Sequence, residues 1–214
     1  MRKYIVTILI MVLMVTTGVF KVDSQIETKE TQYKTNINNT EQTYKTIPEP
    51  KLVNPDIIKV QQVTGWDLKT STYFVEEANT RGVKVFEEAL PIASIESGNT
   101  YKFHKIHHNT NGSTDGGLFQ INDVTYKGIV KQFKSEGREF KSWDRTNPEF
   151  NISAGMYWIA YLKDNHQLKD HKLFTSYNRG VVGAKKYASR SGSYRSEYSR
   201  KVYEIKNQLI KQEK

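Results

Sequence analysis

The sequence predicts a mainly α-helical domain that follows a polar N-terminal segment. Three observations lead to this prediction. Beyond Pro55, apolar residues recur at spacings of three and four positions, which is typical of amphipathic helices. Glycine, asparagine and proline separate these stretches and mark the turns between helices. The sequence has neither an internal repeat nor a coiled-coil heptad, so a repeat array and a long coiled coil are excluded.

Length and composition favour a single globular domain with additional tails. The chain has 214 residues, of which 37% are hydrophobic and 26% charged. A formal net charge of +9 favours a polyanionic partner, such as nucleic acid, anionic lipid or an acidic wall polymer. The absence of cysteine excludes disulfides, zinc-thiolate sites, cysteine nucleophiles and a lipid anchor on an N-terminal cysteine.

The first twenty residues resemble an export signal in their layout. Arg2 and Lys3 precede an uncharged, largely apolar run from Tyr4 to Phe20, and polar residues follow at once. No small-x-small cleavage site is obvious, and a run of about 17 residues is at the short limit for spanning a bilayer. The sequence therefore predicts export, with residues 1–20 as a signal peptide or a retained N-terminal anchor.

A linker and the main domain follow this segment. Residues 21–54 are rich in Thr, Asn, Lys, Gln and Glu and include Pro48 and Pro50. Such a composition buries too little apolar surface to order itself, which predicts a disordered linker. The folded domain is predicted at 55–214.

Within this domain the apolar spacing predicts helices in succession. The first two are expected at Asp67–Asn79 and Val83–Ser97, ended by Gly82 and Gly98. Pro91 either kinks the second helix or opens a shorter one, because proline suits a first turn and disrupts an interior. Helical spacing resumes at Val124–Phe133, Asn147–Leu162 and Ala184–Tyr187, and a terminal helix carries Tyr194, Tyr198, Val202, Ile205 and Leu209 on one face.

A short extended or β segment is expected near 117–122, after a loop rich in glycine and asparagine. Gln120 and Asn122 are two positions apart, which places them on one side of an extended segment. Each amide can donate and accept hydrogen bonds, as the hydroxyl and N-acetyl groups of amino sugars require. Both residues are therefore candidate sugar-binding residues.

Glu96 is the strongest candidate for chemistry. Ile92 and Ala93 lie four and three positions before it, so its carboxyl shares a helix face with apolar side chains. Partial desolvation raises the pKa of a carboxyl, which a general acid working near neutral pH requires. Glu87 and Glu88 fit the role of solvated surface residues better.

Three sequence blocks resemble the signatures of the soluble lytic transglycosylase family in order and rough spacing. They are Ile95-Glu96-Ser97-Gly98, Gly117-Leu118-Phe119-Gln120-Ile121-Asn122 and Ser176-Tyr177-Asn178-Arg179-Gly180. The resemblance covers about residues 83 to 205. It is closest to the small specialised members that accompany secretion and conjugation machines.

The resemblance implies a lysozyme-like, mainly helical fold with a groove for a peptidoglycan glycan strand. It also implies cleavage between N-acetylmuramic acid and N-acetylglucosamine without water, with a 1,6-anhydro product and no cofactor. Carried onto this chain, Glu96 is the acid/base catalyst. Substrate-binding roles fall to Ser97, Gln120, Asn122, Tyr177 and Asn178.

Asp115 supports an alternative mechanism. The segment Asn111–Gly117 resembles the part of animal-type lysozymes that holds their second carboxylate, and Asp115 lies at the corresponding position. A retaining muramidase would use Glu96 as acid and Asp115 as nucleophile. The other interpretation is structural: a carboxylate that bonds backbone amides in a tight glycine-rich turn.

The sequence contains two further clusters, one of histidines and one of basic residues. His104, His107 and His108 lack the pattern and the partners of a metal site, so no metal is predicted and a role at the groove rim is favoured. Basic residues near the C-terminus resemble a nucleic-acid surface, but export makes wall polymers the available polyanion. They are Lys185, Lys186, Arg190, Arg195, Arg200 and Lys201.

Membrane contact is expected only through the N-terminal segment. The alternative to an enzyme is a non-catalytic wall-binding subunit of a secretion or conjugation apparatus.

Overall fold

The computed structural model of the protein describes residues 54–211. The predicted signal peptide or anchor at 1–20 lies outside the described residues, as does the predicted linker up to residue 53. Between residues 54 and 211, no helix is both long and apolar enough to cross a bilayer.

Seven α-helices make up most of the described chain, and the predicted mainly α fold is confirmed. Their bounds are α1 Pro55–Thr64, α2 Leu68–Thr80, α3 Leu90–Ser97, α4 Asp123–Ser135, α5 Pro148–His166, α6 Asp170–Ser191 and α7 Glu197–Lys211. Four of them begin at an Asn or Asp whose side chain accepts a hydrogen bond from a backbone N–H of the first turn. These capping residues are Asn54, Asp67, Asn122 and Asn147.

The region around Pro91 combines two kinds of helix. A π-helical turn at Val85–Ala89 leads directly into α3, and Pro91 lies in the first turn of α3. A proline has no N–H to donate there, and first-turn N–H groups have no partner within the helix in any case. The structure thus favours the second expectation, in which Pro91 opens a shorter helix that ends at the left-handed Gly98.

The helix α6 is longer than the sequence pattern indicated. Periodicity predicted only Ala184–Tyr187, whereas helical structure runs from Asp170 to Ser191 with a kink at Gly180 (φ 66°, ψ 161°). The kink interrupts the apolar period, because the two halves do not share one continuous face. It places Tyr177 just before the bend, at the end of the half whose Leu173 and Phe174 are buried.

Three short strands form an antiparallel sheet in the order β1–β2–β3. Their bounds are β1 Ile106–His108, β2 Thr114–Gly116 and β3 Ile121–Asn122. The extended segment expected near 117–122 is therefore limited to its last two residues, and 117–120 forms a turn instead. Gly117 explains the turn: its φ is +81°, and a Cβ there would overlap the Arg145 carbonyl oxygen.

Buried aromatic rings and one buried amide hold this sheet against the helices. Phe119, from the 117–120 turn, is fully buried and stacks on Phe74 of α2 at 6.2 Å between ring centroids. Gly155 of α5 leaves the space that the Phe119 ring occupies. The Asn151 side chain, also on α5, accepts from the Phe119 N–H at 3.0 Å and donates to the Gly116 carbonyl at 3.0 Å. The strand side of the site is thus fixed to α5.

Candidate active site

Glu96 lies in the last turn of α3, where the helix leaves the core. The first five residues of α3, which include Ile92 and Ala93, are buried, and Glu96 itself is partly exposed. Its carboxyl lines a cleft of about 510 Å³. The predicted apolar setting of this side chain thus has a structural basis in the burial of its own helix.

A tyrosine from the terminal helix fixes the carboxyl of Glu96. The Tyr198 hydroxyl on α7 donates to Glu96 Oε1 at 2.6 Å. Sequence reasoning placed Tyr198 on the inward face of the terminal helix but gave it no part in the site. The contact joins residues 102 positions apart, so only the packing of α7 on α3 brings it about.

Burial is the main influence on the charge state of Glu96. The pKa of this carboxyl is raised from 4.5 to about 7; desolvation is the largest cause, and the negative charge of Asp115 contributes to the rise. The hydrogen bond from Tyr198 and the positive charge of Lys105 act in the opposite direction. A carboxyl with a pKa near 7 keeps a proton available in mildly acidic and neutral solution, as a general acid requires.

Asp115 occupies a different environment on the same cleft. One carboxylate oxygen accepts from Asn122 Nδ2 at 2.7 Å and the other from Asn109 Nδ2 at 2.9 Å. The structural interpretation of Asp115 expected bonds to backbone amides of the turn, and the structure shows side-chain amides in their place. Each oxygen of Asp115 thus has a hydrogen-bond donor from a neighbouring asparagine.

Tyr177 connects the third sequence block to the second. Its hydroxyl donates to the Phe119 carbonyl oxygen at 2.8 Å, which ties α6 to the 117–120 turn. Desolvation raises the pKa of Tyr177 well above its usual value, and the charges of Glu96 and Asp115 contribute to this shift. The phenol therefore stays neutral next to the cleft.

Polar side chains dominate the lining of the cleft. Its lining residues are Glu96, Asn109, Thr110, Asn111, Ser113, Asp115, Gln120, Ile121, Asn122, Thr125, Trp158, Tyr177, Asn178 and Gly180. Four of the five residues to which the resemblance assigned substrate binding are in this set, and Ser97 is not. Trp158 of α5 is partly exposed and forms part of the wall.

The predicted sugar-binding amides are largely engaged within the protein. Gln120 Nε2 donates to the backbone carbonyls of Gly117 at 2.7 Å and Lys105 at 3.1 Å. Asn122 caps α4 with its oxygen and donates to Asp115 with its nitrogen. Both residues face the cleft, but their donors hold the site together before any ligand is bound.

Ser97 has a local role in the structure. It is buried, its hydroxyl accepts from the Tyr101 N–H at 2.9 Å, and it donates to the Ser94 carbonyl at 3.3 Å. These bonds order the chain that leaves α3. The expectation that Ser97 contacts substrate has no support in this geometry, because a hydroxyl buried in this way faces the protein.

The histidine cluster lies outside the cleft lining. His107 and His108 are exposed on β1, and His104 is exposed in the preceding loop. Across residues 54–211, no group of three His, Asp or Glu side chains is arranged to hold a metal ion.

The comparison with protein families agrees with this site. The family model described as Transglycosylase SLT domain matches residues 73–199, which is more than half of the chain. The chain belongs to this family of lysozyme-like peptidoglycan lytic transglycosylases. The match includes Glu96, the sheet and Tyr198. A search of curated proteins gives no match.

Proposed function

We propose that this protein is an exported lytic transglycosylase that cleaves the β-1,4 bond between N-acetylmuramic acid and N-acetylglucosamine in peptidoglycan. Glu96 is the acid and then the base, and the product carries a 1,6-anhydro ring. The proposal depends above all on one observation: a carboxyl with a pKa raised to about 7 lines a polar cleft. Family membership supplies the class of substrate.

In the first step of the proposed reaction, Glu96 donates its proton to the bridging oxygen while the 2-acetamido group of the muramic acid assists at C1. The leaving sugar departs as its new hydroxyl forms. Desolvation keeps the carboxyl protonated until this step, and Tyr198 holds Oε1, which leaves the second oxygen for the substrate.

In the second step the carboxylate of Glu96 acts as the base. It accepts the proton of the 6-hydroxyl of the muramic acid, and that oxygen bonds to C1 as the acetamido oxygen leaves C1, which closes the 1,6-anhydro ring. The Tyr198 hydroxyl and the Lys105 charge favour the ionised form of Glu96 at this stage. The proton that Glu96 lost in the first step returns to it, so the cycle closes without water.

A retaining muramidase is the second candidate, because Asp115 lines the same cleft and its charge acts on Glu96. In that reaction Asp115 would attack C1 and water would release the sugar. The bonds from Asn109 and Asn122 occupy both oxygens of Asp115 and stabilise its charge. A carboxylate stabilised in this way is a weaker nucleophile, which favours the transglycosylase.

Product mass separates the two reactions. Purified wall sacculi digested with the protein should give muropeptides that are lighter by one water than the hydrated reducing products of a muramidase. A digest that contains only hydrated reducing ends would contradict the proposal. The Glu96→Gln variant is the control, and it should release neither product.

The location and partners of the protein are also proposals. The signal-like layout of residues 1–20 supports action outside the cytoplasmic membrane, either secreted or tethered. Peptidoglycan glycan strands are the proposed partner, and the association with a secretion or conjugation machine stays a prediction. Fractionation of cells into cytoplasm, membrane and wall would test the location, and a purely cytoplasmic protein would contradict it.

A further inference from the structure

One residue outside the predicted site contacts both the end of α3 and the turn that lines the cleft. The Lys105 Nζ donates to the backbone carbonyl oxygen of Glu96 at 2.8 Å. The Lys105 carbonyl oxygen accepts from the Gly117 N–H at 2.8 Å and from Gln120 Nε2 at 3.1 Å. The side chain and the backbone of one residue thus join the helix that carries Glu96 to the turn at 117–120.

The contact with Glu96 completes the C-terminus of α3. The last carbonyls of a helix have no partners within it and need others. Those of Ser94 and Ile95 accept from backbone N–H groups of Asn99 and Gly98, and that of Ser97 accepts from the Thr100 hydroxyl. The carbonyl of Glu96 accepts from Lys105, and a cation at this end of a helix also interacts favourably with the helix dipole.

We propose that Lys105 is a positioning residue of the reaction, because its ammonium group holds the backbone of Glu96 while its carbonyl holds the 117–120 turn. This inference rests on the proposed function of Glu96. Lys105 itself is exposed and does not line the cleft, so it acts on the substrate through Glu96 and the turn.

The positive charge of Lys105 also affects the ionisation of the Glu96 carboxyl. Four groups from four parts of the fold surround the Glu96 carboxyl: Tyr198 on α7, Tyr177 on α6, Asp115 on β2 and Lys105 in the loop before β1. Asp115 favours the protonated carboxyl and Lys105 favours the ionised one. Without the charge of Lys105, the protonated form of Glu96 would be favoured. Less ionised Glu96 would then be available as the base in the second step.

Three variants test the proposal. Lys105→Met removes the charge and the hydrogen bond but keeps an unbranched side chain, and Lys105→Arg keeps a cationic donor. Lys102→Met changes an exposed lysine three positions earlier in the same loop and is the matched control. Activity against purified sacculi is followed as a function of pH, and the ionisation of Glu96 is followed by carboxyl ¹³C NMR, with its signal assigned by its absence in Glu96→Gln.

We expect Lys105→Met to lower kcat/KM about tenfold and to move both the basic limb of the pH profile and the Glu96 titration upward by roughly half a pH unit. The Arg variant should keep both midpoints at the wild-type value, and Lys102→Met should match wild type throughout. If Lys105→Met leaves the Glu96 titration unchanged, or if Lys102→Met moves it equally, the proposal is overturned.

The two readouts separate this inference from the proposed function. The NMR titration reports the effect of Lys105 on Glu96 whether or not the protein cleaves glycan. Full wall-lysis activity in Glu96→Gln would refute the proposed function, and the titration would still decide whether Lys105 acts on this carboxyl.

Discussion

The end of α3 and the strand β2 each present one carboxylate to the same cleft, and they do so in opposite surroundings. Glu96 lies in the last turn of a helix whose first five residues are buried in the core, and it has a pKa raised to about 7. Asp115 lies in an open strand, between two asparagine side chains that donate to its oxygens. Apolar burial favours the neutral form of Glu96, whereas each oxygen of Asp115 has its own hydrogen-bond donor.

This difference gives the two residues different tasks. A protonated carboxyl can transfer a proton, whereas a carboxylate with both oxygens hydrogen-bonded organises its neighbours and contributes negative charge. Asp115 accepts hydrogen bonds from Asn109 and Asn122, and its charge contributes to the raised pKa of Glu96. The proposed assignment of catalysis to Glu96 alone is supported by the different environments of the two carboxylates.

Loss of the Glu96 carboxyl should have the largest effect. Glu96→Gln keeps the shape of the side chain and removes the transferable proton, so kcat/KM for wall lysis should fall by about a thousandfold or more. Turbidity loss of a sacculus suspension measures this. Glu87→Gln, which alters a carboxylate paired with Lys84 and Lys206 on the segment before α3, is the control and should stay near wild type. Comparable losses of activity in Glu96→Gln and Glu87→Gln would contradict a specific catalytic role for Glu96.

Relative to wild type, the same variant should gain stability as the pH rises. The native pKa of Glu96 lies above its value in the unfolded chain, so the native state binds this proton more tightly. Stability is therefore lost as pH rises from about 4.5 to about 7, because the native state then has to hold a buried anion. Relative to wild type, Glu96→Gln should gain roughly 3 kcal/mol in free energy of unfolding between pH 4 and pH 8.

Urea denaturation at both pH values measures this gain, and Glu87→Gln gives the opposite sign. Hydrogen bonding to Lys84 is the main cause that lowers the pKa of Glu87, so its contribution to stability is present at neutral pH and lost in acid. An equal response of wild type and Glu96→Gln to pH would mean that Glu96 is solvated like an ordinary surface carboxyl.

Tyr198 should have a smaller effect, visible in rate and in pH dependence. Tyr198→Phe removes the donor to Glu96 Oε1, so kcat/KM should fall about tenfold as the carboxyl loses its orientation. The lost hydrogen bond favoured the anion, so the basic limb should also move to higher pH. Tyr203→Phe is a matched control, because Tyr203 also donates from α7 to a carboxylate, that of Asp170. Equal behaviour of the two variants would argue against a specific role for Tyr198.

Local sequence patterns predicted the helices and the setting of Glu96 because both depend on neighbours in sequence. The helices at 68–80 and 148–166 follow from apolar spacing and from the capping residues Asp67 and Asn147. The position of Glu96 on an apolar helix face needs only the three or four residues before it. The resemblance of three blocks to the family added what local patterns could not, namely that they share one cleft.

The contacts missed by sequence reasoning join residues far apart in the chain. Asn151 looks like any polar residue in a helix, yet it is fully buried and bonds the backbone of Phe119, 32 positions away. The apolar spacing placed Tyr198 on the same face of the terminal helix as the apolar residues. Its hydrogen-bond partner, however, depends on where α7 packs, which the spacing does not show. The prediction that Gln120 lies in an extended segment was wrong, because Gly117 adopts a left-handed conformation that begins a turn.

Neutralisation of Asp115 should reduce the rate less than the other substitutions. It also distinguishes most clearly between the roles of the Glu96 and Asp115 carboxyl groups. In Asp115→Asn, Asn109 can rotate its amide to present oxygen to the new NH₂ group while Asn122 continues to donate to the remaining oxygen, so the local bonds can be kept. If Asp115 acts only through its charge, activity at the optimum should stay within about threefold of wild type, since no transition-state contact is lost. Because the charge of Asp115 raises the pKa of Glu96, the basic limb should move to lower pH.

This shift is opposite in sign to the one expected for Tyr198→Phe. The control variant is Asp164→Asn, at an exposed position of α5, and it should show no shift in the basic limb. A retaining muramidase would lose its nucleophile in Asp115→Asn, and its activity should then fall as far as that of Glu96→Gln. A loss of that size would give the two carboxylates equal weight in catalysis. A small loss combined with the downward shift would show that Asp115 acts through its charge, because a nucleophile cannot be neutralised without loss of turnover.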